Sequence, residues 1–316
     1  MSIVTAERAF KNKIMTADVY IALSSDTVSQ NVIAKDLDTA IKMLKVFEKN
    51  YTRFTADSEL ATLNKSAKMV VSDELLEIIT LAKEYYSKTE GLFDPTILIA
   101  LLKEGYDVSK NAGFYSAKPR TDKNTIQHTF DQVVIDRNSN SITKPASLLI
   151  DLGGIGKGYI IDKVAAFLKD SYSDFCVSLG GDMYLAGVDR QKSFPYWAIE
   201  IDNPTLTKSM ETPTLLGKDV AIATSGVNKR TWNVANQSKN HIIDPRTGRS
   251  AQNSLASVTV IGHTTIYADI MAKILLILGI EKGLEYCQNT KVPAVFITKS
   301  SEIFFSDEVK NYVWKD

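Results

Sequence analysis

Cysteine is nearly absent. Only Cys176 and Cys287 occur among 316 residues, too few for a disulfide framework or a structural zinc site, and nothing argues for an oxidising compartment. Neither sign of charge is in excess, since 37 Lys+Arg meet 37 Asp+Glu for a net charge of zero. That balance removes the electrostatic footprint of a nucleic-acid binder. Long apolar runs are missing too. The most apolar stretch, residues 270–280, contains Lys273 and is too short to span a bilayer, so it reads as a buried helix rather than a membrane segment. The first residues lack the basic start and apolar stretch of a secretory signal, which makes the cytoplasm the expected compartment. No internal repeat, low-complexity tract or Pro/Ser-rich linker divides the chain. What is there is ordinary: 44% hydrophobic and 23% charged residues, values that exclude disorder, collagen and coiled coil. The length suits one large domain, or two sharing a core.

Residues 19–23 (Val-Tyr-Ile-Ala-Leu) have strand character, and Leu37, Ile41, Leu44, Phe47 and Tyr51 then recur at helical spacing. A second helix starts at Asp73, with Leu75, Ile78, Ile79, Ala82 and Tyr86 on its apolar face. The stretch 105–140 is polar and reads as an irregular loop or insertion. Short strands are expected at 175–179, 197–201, 220–223, 258–261, 294–297 and 303–305. Apolar helices are expected after Gly158 and over 268–278. Helices and strands interleave without the regular alternation of a doubly wound sheet, so the expected class is α+β with mixed sheets. The domain reading is a single domain, 1–316, of two intertwined lobes.

Four segments carry candidate chemistry. Asp151-Leu152-Gly153-Gly154-Ile155-Gly156-Lys157-Gly158-Tyr159 follows an apolar run and opens a helix. Such a glycine-rich turn offers backbone N–H groups to an anion, and Lys157 adds a positive charge. It is not a Walker A loop, because Gly158 follows Lys157 where Ser or Thr belongs, and Tyr159 breaks the dinucleotide pattern. The alternative is a tight strand–helix turn that needs glycine only for sterics. Ser178-Leu179-Gly180-Gly181-Asp182-Met183 either admits a ligand near the backbone or is simply a hairpin turn, the reading favoured for this segment alone. In Asn240-His241-Ile242-Ile243-Asp244-Pro245-Arg246-Thr247-Gly248, one of only three histidines is either a general base or structural. Asp244 there is placed to bond its own backbone. Asp269 and Lys273 lie four apart on one helix face, as a metal ligand beside a lysine or as a plain salt bridge, which the spacing favours.

Taken in order, these segments resemble the ApbE family, the FAD:protein FMN transferases. The likeness includes Met15 before the first strand, Ser58-Glu59-Leu60 with Asn64, and Gly91-Leu92-Phe93-Asp94-Pro95-Thr96. It continues through the 151–159 loop with Asp162, Leu179-Gly180-Gly181-Asp182, Ala223-Thr224-Ser225-Gly226, residues 241–248, and Ala268-Asp269. The resemblance implies an α+β fold whose two lobes enclose a flavin cleft. It implies cleavage of the FAD pyrophosphate, transfer of FMN to a Thr or Ser hydroxyl of a target flavoprotein as a phosphoester, and release of AMP.

By the same resemblance, Met15, Phe54, Leu92, Phe93, Asp94, Asp151, Lys157 and Ile242 are FAD contacts. The Gly154 carbonyl and Asp269 are ligands of Mg²⁺, an ion that suits oxygen ligands and substrate phosphates. His241 is the base that deprotonates the acceptor hydroxyl. Phe54 stands where the family often has Tyr, which keeps a stacking surface and loses a hydroxyl. Lys273 stands where the family usually has a metal-ligating Thr, and a charged ammonium cannot ligate magnesium. Three consequences are open: a metal held by fewer protein ligands and more water, a lysine that replaces part of the metal's charge, or lost transferase activity. The implied partner is a soluble acceptor flavoprotein, with a fumarate-reductase-like enzyme as a candidate, and neither nucleic acid nor membrane is expected. The competing readings are a FAD pyrophosphatase, with water in place of the acceptor, and a non-catalytic FAD-binding protein.

Overall fold

A computed structural model describes residues 6–106, 129–203, 212–228, 230–234 and 237–315. They form two compact units, both discontinuous in sequence. The first is built from the described parts of Met1–Val46, Lys157–Asn228 and Asn253–Asp316, and the second from those of Phe47–Gly156 and Lys229–Gln252. Elements are numbered along the chain.

The first unit is organised by an eight-stranded sheet. Its strands are β1 (Ala6–Ile14), β2 (Ala17–Ser25), β6 (Asp174–Leu179), β7 (Asp182–Ala186), β10 (Val220–Gly226), β15 (Leu255–Gly262), β16 (Ala294–Thr298) and β17 (Ile303–Phe305). They lie side by side in that order, and every neighbour pairs antiparallel. The expected α+β class therefore holds, with helices and several sheets mixed along the chain and antiparallel pairing in the large sheet. Short hairpins link β1 to β2, β6 to β7 and β16 to β17, whereas the other neighbours are joined by long excursions that carry the helices and the smaller sheets.

The central strands β6 and β10 are buried along nearly their whole length, which is why they read as apolar runs rather than alternating patterns. One face carries Leu185, Ile222, Ile261 and Val295, packed with Trp197 and Leu215. The last two belong to the hairpin of β8 (Trp197–Glu200) and β9 (Thr214–Gly217). Because alternate residues point oppositely, Ala221, Ala223 and Ser225 face the other side. Helix α6 (Thr265–Leu278) packs there, against β10 and β15. Small side chains on β10 leave room for a helix that is buried almost all round. Thr264 caps α6 by accepting from the Tyr267 amide at 3.2 Å, and α7 (Ile280–Thr290) follows directly.

Helix α5 (Gly156–Lys169) meets α6 at its start. A Cβ on Gly158 would lie 2.6 Å from the Ile266 Cα, so only glycine permits this approach. The Asp162 carboxylate then accepts from the Thr265 amide at 2.7 Å and the Ile266 amide at 2.9 Å, satisfying two donors that α6 cannot satisfy itself. Burial pushes the Asp162 carboxyl up, against the pull of those two amides.

Helix α1 (Gln30–Tyr51) runs from the first unit into the second, burying Ile33, Leu37, Ala40, Leu44, Phe47 and Tyr51. The second unit continues with α2 (Glu59–Lys65), β3 (Lys68–Val70), α3 (Asp73–Lys88) and α4 (Leu98–Lys103). Ser58 and Ser72 cap α2 and α3, the role their hydroxyls suit best. β4 (Val134–Asp136) and β5 (Ser141–Thr143) join β3 in a small sheet. Of the stretch expected to be irregular, residues 107–128 lie outside the described residues. Beyond it Phe130–Gln132 forms a 3-10 turn and Val134–Asp136 is β4. Two further hairpins pair β11 (Thr231–Val234) with β12 (Gln237–Asn240), and β13 (Ile243–Asp244) with β14 (Arg249–Ser250).

Several of these elements were not expected from the sequence, and β1 is the one that bears on a candidate site residue. Met15 does not precede the first strand: β1 comes before it, and Met15 and Thr16 form the two-residue turn into β2. Both have φ of 56°, the left-handed geometry of a type I′ hairpin, here without the usual Asn or Gly. The polar sequence of β1 hides it, because an edge strand needs little apolar surface.

Candidate functional site

In the first unit, two lysine–aspartate pairs stand near the starts of α5 and α6. Lys157 lies in the first turn of α5, and its ammonium contacts Asp182 Oδ2. Asp182 has no exposed surface, and its Oδ1 accepts from the Thr224 amide of β10 at 3.1 Å. A carboxylate expected to be only part of a hairpin turn thus ties the glycine-loop lysine to the central sheet. The helix N-terminus and the lysine together favour an anion.

The second pair is on α6, where the Lys273 ammonium contacts Asp269 Oδ1 and lies 3.4 Å from the Asp269 carbonyl. The Asp269 side chain is 1% exposed and that of Lys273 18%. Asp269 Oδ2 is buried with no hydrogen-bond partner among the described residues. An anionic oxygen left in that state fits a cation. No group of three or more His, Cys, Asp and Glu able to hold a metal occurs among the described residues. Magnesium there would draw its other ligands from backbone, water or substrate oxygens, as it commonly does. The two pairs share one region of the unit, since Gly158 abuts Ile266, three residues before Asp269.

The second unit holds an aromatic group. Arg53 Nε pairs with Asp151 Oδ2 at 2.6 Å, both side chains nearly buried. The Arg53 guanidinium lies 4.4 Å from the Phe54 ring centroid and 5.4 Å from that of Tyr106. Tyr106 stacks on Trp232 at 5.1 Å and stands 6.5 Å from the His241 ring. Trp232 Nε1 donates to the Glu104 carbonyl at 2.7 Å, and Lys239 pairs with the Glu104 carboxylate at 3.0 Å. Burial raises the Glu104 carboxyl, but hydrogen bonds from Lys239 and Ser250 outweigh it and the net shift is downward. The ladder Phe54–Arg53–Tyr106–Trp232 therefore passes beside the candidate base at Tyr106. Of its members only Phe54 was singled out from the sequence. The available signal was an arginine directly before Phe54; nothing local marked Tyr106 or Trp232.

His241 is half-buried between β12 and β13. The preceding Asn240 fixes its backbone: Oδ1 accepts from the Ile242 amide at 3.0 Å and Nδ2 donates to the Ala251 carbonyl at 2.9 Å. Asp244 bonds its own turn as expected, accepting from the Arg246 amide at 2.9 Å, and also grips the Arg246 guanidinium through both oxygens. Asp151 is already engaged, since its Oδ1 accepts from the Gly153 amide at 2.7 Å. Asp94 accepts from both the amide and the hydroxyl of Thr96 at 2.8 Å, and burial raises its carboxyl against those bonds. Phe93 and Ile242 are buried core residues, whereas Phe54, Leu92 and Met15 keep part of their surface. Gly154 lies in the turn before α5, half-buried.

The ApbE family model matches residues 15–296. A FAD:protein FMN transferase of Vibrio cholerae is 28% identical over 276 residues, covering 86% of this chain and 82% of that protein. One of Salmonella typhimurium is 28% identical over 276 residues, covering 82% of this chain and 77% of its own length. Among solved structures, the flavin transferase ApbE from Vibrio cholerae superposes with a TM-score of 0.81 at 24% identity, covering 98% of this chain and all (100%) of that one. An ApbE protein of Thermotoga maritima gives 0.83 at 23% identity, with the same coverage. At those identities the structural likeness speaks for the fold.

Proposed function

The chain belongs to the ApbE family, and from that premise we propose that it is a FAD:protein FMN transferase, moving the FMN moiety of FAD to a Thr or Ser hydroxyl of an acceptor flavoprotein and releasing AMP. The observation that carries the reading is the Lys157 ammonium in the first turn of α5, held by a buried carboxylate. A positive charge at a helix start is what a pyrophosphate needs, because charge develops on its oxygens as the bond breaks. Phe54 and the Arg53 plane offer the second unit's stacking surface for a ring, with Met15, Leu92 and Asp94 as further FAD contacts in this reading. Phe93, Asp151 and Ile242 support those contacts from their packed or paired positions.

His241 takes the acceptor's hydroxyl proton, and Asn240 holds the backbone on either side of it. Asp269 Oδ2 and the Gly154 carbonyl are the protein oxygens proposed to hold magnesium, which would supply charge neutralisation on the phosphates when bound. The acceptor is proposed to be a soluble cytoplasmic flavoprotein, a fumarate-reductase-like enzyme among the candidates. Among the described residues no helix is long and apolar enough to cross a membrane.

The test is the mass of a candidate acceptor domain after incubation with this protein, FAD and Mg²⁺. A gain of one FMN phosphoester supports the reading. FMN released at full rate without any acceptor would make the protein a pyrophosphatase, and bound flavin with no AMP a binding protein.

A further inference from the structure

Helix α6 is built for burial, with Ile270, Met271, Ala272, Ile274 and Leu275 all inside. A lysine–aspartate pair is an expensive insertion there, since similarly sized apolar residues commonly serve stability as well or better. The pair is also unevenly satisfied. Lys273 occupies Asp269 Oδ1, while the buried Oδ2 has no donor among the described residues. The carboxylate is thus half neutralised and open on one side.

The geometry points to Lys273 as a gate on that cation position: it makes divalent-metal binding at Asp269 conditional on a bound pyrophosphate. The reason is charge balance in a buried place. Asp269 and Lys273 already sum to zero, so a divalent ion arriving alone would leave two uncompensated positive charges, which a low-dielectric site resists. The pyrophosphate diester of FAD brings two negative charges. Carboxylate, ammonium, metal and pyrophosphate then sum to zero, so the site is neutral either empty or with metal and pyrophosphate together, and charged with either one alone. With a neutral residue at 273, the metal and Asp269 alone would leave a single positive charge, and the ion would bind before the nucleotide. The ammonium stays on the protein throughout; no bond is made or broken by it. The inference rests on the FAD reading of the site and concerns the order in which its charges assemble.

Coupling between two ligands is reciprocal, so each half can be measured against the other. Mg²⁺ is titrated by calorimetry into the wild-type protein with and without saturating FAD, and FAD fluorescence is titrated with Mg²⁺ or with EDTA. The expected result is negligible Mg²⁺ binding to the protein alone, and a mutual tightening of about ten-fold or more when both are present. Lys273→Thr should bind Mg²⁺ without FAD and lose most of that coupling, whereas Lys273→Arg should retain it. Tight Mg²⁺ binding to the wild type without FAD overturns the inference. So does unchanged coupling in Lys273→Thr. Should Lys273→Thr fail to fold, the two wild-type titrations decide the matter alone. Coupling without AMP release or acceptor labelling would sink the transferase reading and leave the gate standing; turnover without coupling would do the reverse.

Discussion

Asp182 holds Lys157 from beneath: one carboxylate oxygen meets the ammonium and the other accepts the Thr224 amide of the central sheet. If Lys157 were only a phosphate contact on the surface, Lys157→Ala would weaken FAD binding with little loss of folding. The pair changes that expectation, because removing the lysine leaves Asp182 charged in a site with no exposed surface. Stripping one partner from a buried ion pair commonly costs about 3–5 kcal/mol; Lys157 retains some exposure, so a value at or below the lower end is expected here. Urea denaturation should show Lys157→Ala clearly destabilised, and Lys157→Ala combined with Asp182→Asn should recover much of the loss. FAD affinity should fall in both. Full stability in Lys157→Ala would mean that Asp182 finds another cation.

Asp182→Asn alone keeps an acceptor for the Thr224 amide and loses the charge that aims Lys157. The expected effect is a raised KM for FAD with a smaller change in kcat. Hydrogen bonds to charged groups contribute about 1.5–3 kcal/mol, roughly a ten- to hundred-fold change in affinity. A drop in kcat at constant KM would place Asp182 in the chemical step instead.

His241→Ala should leave FAD fluorescence titrations nearly unchanged while slowing acceptor labelling. A positioned general base is worth about a hundred- to ten-thousand-fold in rate. Asn240→Ala offers the companion measurement. It removes both side-chain bonds that fix the adjoining backbone, so kcat should fall although the imidazole remains. Labelling within a few-fold of wild type in His241→Ala would return the histidine to a structural role.

Much of the fold could be read where burial leaves a period. The α1 stripe Leu37, Leu44, Phe47 and Tyr51 and the apolar runs of β6 and β10 follow directly from which faces are covered. β1 could not be read that way, because an edge strand pairs through its backbone and its side chains stay largely in water. Of the candidate site, the glycine loop before α5 and the Asp269–Lys273 pair could be read from local spacing, the latter as a salt bridge. Arg53, Tyr106 and Trp232 could not, since residues brought together from distant positions leave no local pattern. Asp182 was hidden for another reason. A carboxylate after two glycines has the composition of a turn, and only the fold reveals that it points at Lys157.

Arg53 is expected to be a structural cation with a shaped surface. Its guanidinium pairs with Asp151 and lies against the Phe54 and Tyr106 rings. Arg53→Met keeps length and apolar contact but leaves Asp151 nearly buried without its cation, a loss of about 3 kcal/mol or more in urea denaturation. Arg53→Lys restores the charge but not the plane. It should recover part of the stability and little of any FAD affinity that depends on stacking. Equal behaviour of the two variants would show that charge and plane are not separable at this position.

Gly158 sets the distance between the helices that carry Lys157 and Asp269. An added Cβ would lie 2.6 Å from the Ile266 Cα and 2.7 Å from its nitrogen, and both are backbone atoms that no rotamer change can move aside. Gly158→Ala must therefore push α5 and α6 apart, straining the bonds from Asp162 to the Thr265 and Ile266 amides. Overpacking of this kind costs about 1–3 kcal/mol, while the better helix propensity of alanine returns at most about 1 kcal/mol. The net expectation is a lower Tm by calorimetry, together with weaker FAD binding because Lys157 moves with α5. Gly156→Ala is the matched control: its added Cβ meets Phe47 ring carbons at 3.5 Å, an ordinary contact. If the two variants melt alike, the approach of α5 to α6 is looser than these distances say, and the spacing of the two lysine–aspartate pairs is not set at Gly158.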